Sequence, residues 1–151
     1  YSRLSGKTVN SGSAQRIGQQ YTYRNVGTAY TTPQVSSLAT TFGSNTLNHS
    51  YTYDANGNIL SDSTAAGTVL YEYDGFDQLV REKNGILGKA WEYTYDLGGN
   101  ILSKRERSYQ NGTVGAVLST HSYTYGDEDW IDLLTGYDNQ SITYDEIVNG
   151  T

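Results

Sequence analysis

Cysteine and methionine are both missing from this chain of 151 residues, which excludes disulfides and thiolate metal sites outright. Histidine occurs only twice, in His49-Ser50-Tyr51 and in His121-Ser122-Tyr123. That parallel placement marks equivalent positions of a repeat, not a converging catalytic or zinc-binding pair. The single proline, Pro33, marks a loop or a strand edge. No window of a dozen or so residues has helical periodicity, and no apolar run approaches the ~20 residues of a membrane-spanning helix. Ile, Leu, Val and Phe together make about a fifth of the chain, near the level at which ordinary globular sequences stop folding. Bases are missing from the last third. The final one is Arg107, and Asp127, Glu128, Asp129, Asp132, Asp138, Asp145 and Glu146 follow it unopposed within a net charge of −6. An acidic end of this kind disfavours nucleic acid and anionic membrane as partners. Lys104, Arg105 and Arg107, the one basic cluster, read as a solvated strand face.

What the chain has instead is tyrosine, 15 of them, with two tryptophans. A buried aromatic ring removes roughly 150–250 Å² from water, so tyrosine takes the place of leucine as packing material. Its hydroxyl needs a partner, so the rings are expected with one end wet. The tyrosines are ordered. Tyr51-Thr52-Tyr53-Asp54-Ala55-Asn56-Gly57-Asn58-Ile59-Leu60 returns as Tyr93-Thr94-Tyr95-Asp96-Leu97-Gly98-Gly99-Asn100-Ile101-Leu102, with looser copies around Tyr21 and Tyr23, Tyr71, Tyr73 and Asp74, Tyr123 and Tyr125, and Tyr144 and Asp145. Steps of roughly 20 to 30 residues indicate an array whose units bury apolar surface against their neighbours.

Each copy reads as a hairpin bend. Tyr-Thr-Tyr suits a pleated strand, the aspartate caps a turn, and Gly57, like Gly98 or Gly99, supplies positive φ. The expected connection is a type I turn followed by a left-handed glycine. The copy at Tyr73-Asp74 is a variant with its turn around Gly75, Phe76 and Asp77. Asn84-Gly85 and Asn111-Gly112 predict tight type I′ turns, and Ser11 to Ala14, Phe42 to Asn45 and Ala65 to Gly67 predict further turns. The expectation is an all-β chain of about ten short antiparallel strands, forming a curled open sheet. It is one domain, with residues 1–20 a poorly matched leading strand and turn region and 21–151 the repeat sheet. The Tyr1 to Val9 stretch reads as half of a hairpin, and both ends read as cut from a longer array.

The Tyr-x-Tyr-Asp-x-x-Gly-Asn motif at 51–58 and 93–100 resembles the YD repeat of bacterial Rhs-type proteins, relatives of toxin-complex shells and teneurins. At the last copy Val148 stands where the repeat has glycine. The resemblance implies a secreted or cell-surface protein in which a long β-sheet spirals into a hollow shell, in many cases around a C-terminal toxin. Some members are described as carbohydrate-binding or adhesive. The family's autoproteolytic Asp-Pro segment has no counterpart here. On the resemblance, the chain is a non-enzymatic wall whose partners are the rest of the array and an enclosed toxin domain or a surface carbohydrate.

Asp127, Glu128, Asp129 and Asp132 supply carboxylates for a glycosidase pair or a weak calcium site, but read first as an exposed acidic turn. The 54–59 stretch fails the EF-hand pattern, with Gly57 fourth instead of sixth and Ala65 in the twelfth place. Four Asn-x-Ser/Thr matches are expected by chance in this composition. The carbohydrate reading rests on Trp91 beside Glu92 and Trp130 beside Asp129, against the plainer reading that Trp91 packs on the next hairpin. No cofactor is expected. Unpaired terminal strands predict self-association, most simply an edge-strand dimer, or else disorder of the terminal repeats.

Overall fold

The computed structural model describes residues 3–12, 14–28 and 30–145. Twelve strands lie side by side in sequence order, each antiparallel to the last, in one open sheet. They are β1 (Gly6–Ser11), β2 (Ala14–Val26), β3 (Tyr30–Phe42), β4 (Asn45–Tyr53), β5 (Ile59–Thr64), β6 (Gly67–Tyr73), β7 (Leu79–Asn84), β8 (Lys89–Tyr95), β9 (Ile101–Gln110), β10 (Thr113–Tyr125), β11 (Leu134–Tyr137) and β12 (Gln140–Ser141). The leading segment belongs to this sheet as β1 and the start of β2. The last repeat copy leaves the ladder after β12, and residues 146–151, Val148 among them, lie outside the described residues.

The connections alternate between two rims. One rim, the motif rim, carries the bends at 54–58, 74–78 and 96–100 and the longer segment between β10 and β11. The opposite rim carries mostly tight turns. Phe42 pairs with Asn45 across Gly43 and Ser44, and Gln110 pairs with Thr113 across Asn111 and Gly112. Asn111 and Gly112 both have positive φ, 50° and 80°, as a type I′ turn requires. Asn84-Gly85 departs from the expectation. Asn84 is the last residue of β7, paired with Lys89, and the loop is four residues long. Two flanking strands explain the difference: the Gly85 N–H donates to the Thr68 carbonyl of β6, and the Tyr109 N–H donates to the Gly88 carbonyl. The loop is drawn out so that its backbone bonds both neighbours.

Among the described residues there is one layer and no enclosed core. Among the described residues the buried hydrophobic side chains are Val69 and Ala90. The chain exposes 10869 Å², whereas a compact monomer of this mass exposes about 7,600 Å². What holds such a sheet is its backbone ladder and the contacts between side chains of neighbouring strands.

Candidate functional site

The motif aspartate organises each bend. Asp54 Oδ1 accepts the N–H groups of Asn56, Gly57 and Asn58 at 2.8–2.9 Å. Asp74 Oδ1 accepts from Phe76 and Gln78, and Asp96 Oδ1 from Gly98 and Asn100. The Gly99 N–H donates to the Asp96 carbonyl and the Asp96 N–H to the Asn100 carbonyl, which is the expected type I turn with a left-handed residue after it. That residue is Gly57 (φ 101°) in one copy and Gly99 (φ 92°) in another, so Gly99, not Gly98, takes the strained place. In the 74–78 bend the place is filled by Asp77 at φ 62°, not by Gly75. An aspartate tolerates this region better than most residues. The carboxyl of Asp96 is held below its ordinary value, first by the Asn100 side-chain amide and then by the turn N–H groups. At Asp54 desolvation acts the other way and is outweighed by the Asn58 amide and the turn N–H groups, so that carboxyl is also held low.

The motif asparagine reaches in two directions. Asn58 Nδ2 donates to its own Asp54 at 3.0 Å and to Asp77 of the next bend at 2.7 Å, and Asn56 Nδ2 also donates to Asp77 at 2.8 Å. Asn100 repeats the arrangement, with Asp96 at 3.1 Å and Asp132 at 3.0 Å. The bends are thereby riveted in pairs, 54–58 to 74–78 and 96–100 to the segment before β11, contacts that a single motif does not reveal.

The second tyrosine of the motif closes the strand ladder. β5 and β6 pair only as far as Ser61 and Leu70, leaving the start of β5 paired with β4 but open on its β6 side. There Tyr73 Oη donates to the Ile59 carbonyl at 3.0 Å. Tyr53 does the same to Val35 and Tyr95 to Leu79, both at 2.7 Å, and Tyr23 and Tyr144 serve Leu4 and Leu134. Phenylalanine has the ring but not this donor. The first tyrosines stand opposite polar residues of the next strand: Tyr51 against Asp62, Tyr71 against Glu82, Tyr93 against Lys104, with Tyr123 against Tyr137. Burial, followed by the charge of Glu82, raises the hydroxyl pKa of Tyr71 and Tyr93.

The two histidines are repeat-equivalent, as expected. His49 Nδ1 bonds Asp62 at 2.8 Å and its ring stacks on Tyr51, while His121 Nδ1 bonds Asp138 at 2.6 Å and its ring stacks on Tyr137. Among the described residues no three His, Asp or Glu side chains are placed to hold a metal ion, and no helix is long and apolar enough to cross a membrane.

Opposite the tyrosine face lies a charge ladder. Glu92 is approached by Arg81 at 3.1 Å, Arg107 at 3.3 Å and Arg105 at 3.9 Å, and Arg81 also bonds Glu72 at 2.8 Å. Lys104 is on the tyrosine face, its ammonium 5.8 Å from the Trp91 ring. The basic cluster of the sequence is thus divided between two faces by the period of the strand. The same period separates Trp91 from Glu92, correcting their reading as one site: Trp91 pairs with Glu82 and its indole N–H donates to Glu106 at 3.3 Å. Trp91 is half-buried in β8, whereas Trp130 is 64% exposed in the segment before β11. The carboxylate of Asp127 caps that segment, accepting the N–H groups of Asp129 and Trp130.

Compared with known families, residues 53–85 match the RHS Repeat. This stretch runs from the second tyrosine of one bend through the complete 74–78 bend to the β7–β8 loop. No curated protein matches the chain.

Proposed function

We propose, from the match of residues 53–85 to the RHS Repeat and the motif bends at 51–58 and 93–100, that this is an Rhs-type repeat chain and a non-enzymatic wall segment, supplying β-hairpins to the hollow shell of a secreted or cell-surface bacterial protein. One observation carries the reading: twelve strands in a single layer, with neither face covered. A catalyst needs converging groups held in a closed site, whereas a wall needs continuity, which riveted bends and tyrosine-capped carbonyls provide. The remainder of the array continues the sheet at its edges, and a C-terminal toxin is the cargo such a shell encloses.

The test is protease protection of a reporter domain placed downstream of the complete repeat array. The intact array is expected to shield it, and Gly57→Val with Gly99→Val, which opens two bends, to expose it. A reporter cleaved equally fast in both overturns the enclosure. A second reading, a carbohydrate-binding or adhesion module, is favoured by the exposed Trp130 ring beside the Asp127 to Asp132 carboxylates. Saturable quenching of tryptophan fluorescence by a soluble oligosaccharide, abolished by Trp130→Ala, would establish it in place of the wall.

A further inference from the structure

The motif rim has a cleft that neither the wall nor the carbohydrate reading uses. It lies between the 74–78 and 96–100 bends, about 700 Å³ in volume, with Tyr93, Tyr95 and Val80 at its floor and Phe76 and Leu97 on its lips. Phe76 is 85% exposed and Leu97 fully so, although apolar side chains at bend tips contribute nothing to the turn. The next segment along the rim adds Trp130 and Ile131, both well exposed. Scattered exposed apolar residues need no explanation, but large ones aligned along one rim beside a concave aromatic floor mark a docking surface.

Charge selects the occupant. Asp74 and Asp96 line the cleft, and Asp77 and Asp132 bond their amide partners on the same rim. No lysine or arginine lines the cleft, and none of these four carboxylates forms an ion pair among the described residues. They lie against backbone N–H groups and neutral amides, which leave their charge uncompensated. The aromatic rings beside them favour a cation as well. A second copy of the same rim would bring like charges together, so the fit is to a partner of opposite sign.

Spacing selects its form. Neighbouring strands lie about 4.8 Å apart, so successive bends on one rim, two strands apart, lie roughly 10 Å apart. In an extended segment of polyproline II form, residues three apart share one face and span about 9 Å. We propose that the cleft between the 74–78 and 96–100 bends docks an extended cationic peptide segment, whose apolar side chains meet Phe76 and Leu97 and whose lysine or arginine side chains lie among the aspartates.

The experiment is a titration of the chain with a fluorescein-labelled synthetic peptide of repeated Leu-Arg-Pro triplets, which sets its leucines three residues apart, followed by anisotropy at two salt concentrations. Two control peptides replace either every leucine by serine or every arginine by glutamate. The expected result is saturable one-to-one binding by the first peptide alone, weakened by salt and weakened about tenfold or more by Phe76→Ser with Leu97→Ser. Both side chains are solvent-exposed, and an unchanged circular dichroism spectrum confirms the fold. Equal binding of the serine peptide, or unchanged affinity in the double variant, reduces the effect to nonspecific charge attraction and overturns the proposal. So does absence of binding, or a dimer in sedimentation that Phe76→Ser with Leu97→Ser disperses, which would place a second copy of the chain on this rim.

Discussion

At the scale of single residues, the motif divides its work by chemistry. Gly57 and Gly99 are needed for backbone conformation, since a β-branched side chain resists positive φ. Gly57→Val is expected to cost at least ~1 kcal/mol, read as a lowered urea midpoint. Gly75 sits in the same kind of bend without positive φ and with open space where a Cβ would go. Gly75→Ala is therefore expected to be neutral or slightly stabilising, and equal losses at both positions would contradict the assignment. The tyrosines are needed for their hydroxyls. Tyr95→Phe leaves the Leu79 carbonyl without its donor, and a loss of roughly 0.5–1.5 kcal/mol is expected. Tyr30, 77% exposed, is the control: Tyr30→Phe should leave the midpoint where it is.

At the scale of the bend, the aspartate is the acid-sensitive part. Its carboxylate is bonded only when ionised, and its folded pKa is depressed below the 3.8 of an unfolded aspartate. The stabilisation is therefore fully present above that value and is lost as pH falls through the folded pKa. NMR titration of Asp96 is expected to show the depressed midpoint, and Asn100→Ala, which removes the leading cause, to move it back up. An unmoved midpoint would assign the shift to the backbone N–H groups alone. The sequence contained this bend almost whole, because aspartate, glycine and asparagine act on residues within four positions of themselves. The rivet from Asn58 to Asp77 spans 19 residues and needed the neighbouring hairpin in place.

At the scale of the molecule, the sheet formed by the described residues has β1 and β12 as unpaired edges and no buried layer to protect them. β1 is six residues long with Lys7 its only charge, whereas β12 is two residues long. Shortness blunts an edge more effectively than one lysine does, so association through β1 is the expected route. Sedimentation equilibrium should show a dimer that Thr8→Pro disperses, since the Lys7 and Val9 positions bond β2 and the Thr8 N–H faces the open edge, where proline removes the donor a second copy would use. A monomer at all concentrations tells against this. Alkali tests the tyrosine face as a whole. Folded pKa values of Tyr71 and Tyr93 lie above the ordinary 10.0, so their contribution is complete below pH 10 and disappears as pH rises through the folded values. Tyrosinate absorbance should then appear together with loss of the β-sheet signal, and ionisation well before unfolding would show the rings to be freely solvated.

The sequence by itself determined the all-β class, the bends at 54–58 and 96–100, the Asn111-Gly112 turn and the equivalence of the two histidines. Each depends on neighbours in the chain or on a repeat written twice. Only the tertiary structure decided that Asn84-Gly85 opens a four-residue loop, because strands β6 and β9 compete for its backbone groups. It alone placed Asp77 in the glycine position, parted Trp91 from Glu92 across the sheet, and distributed Lys104, Arg105 and Arg107 between two faces. It also showed Phe76 and Leu97 to be exposed on adjacent bends, 21 residues apart in sequence and brought side by side by antiparallel pairing. Which side chains meet across strands is set by register, and register depends on the bulges and loop lengths of the whole sheet.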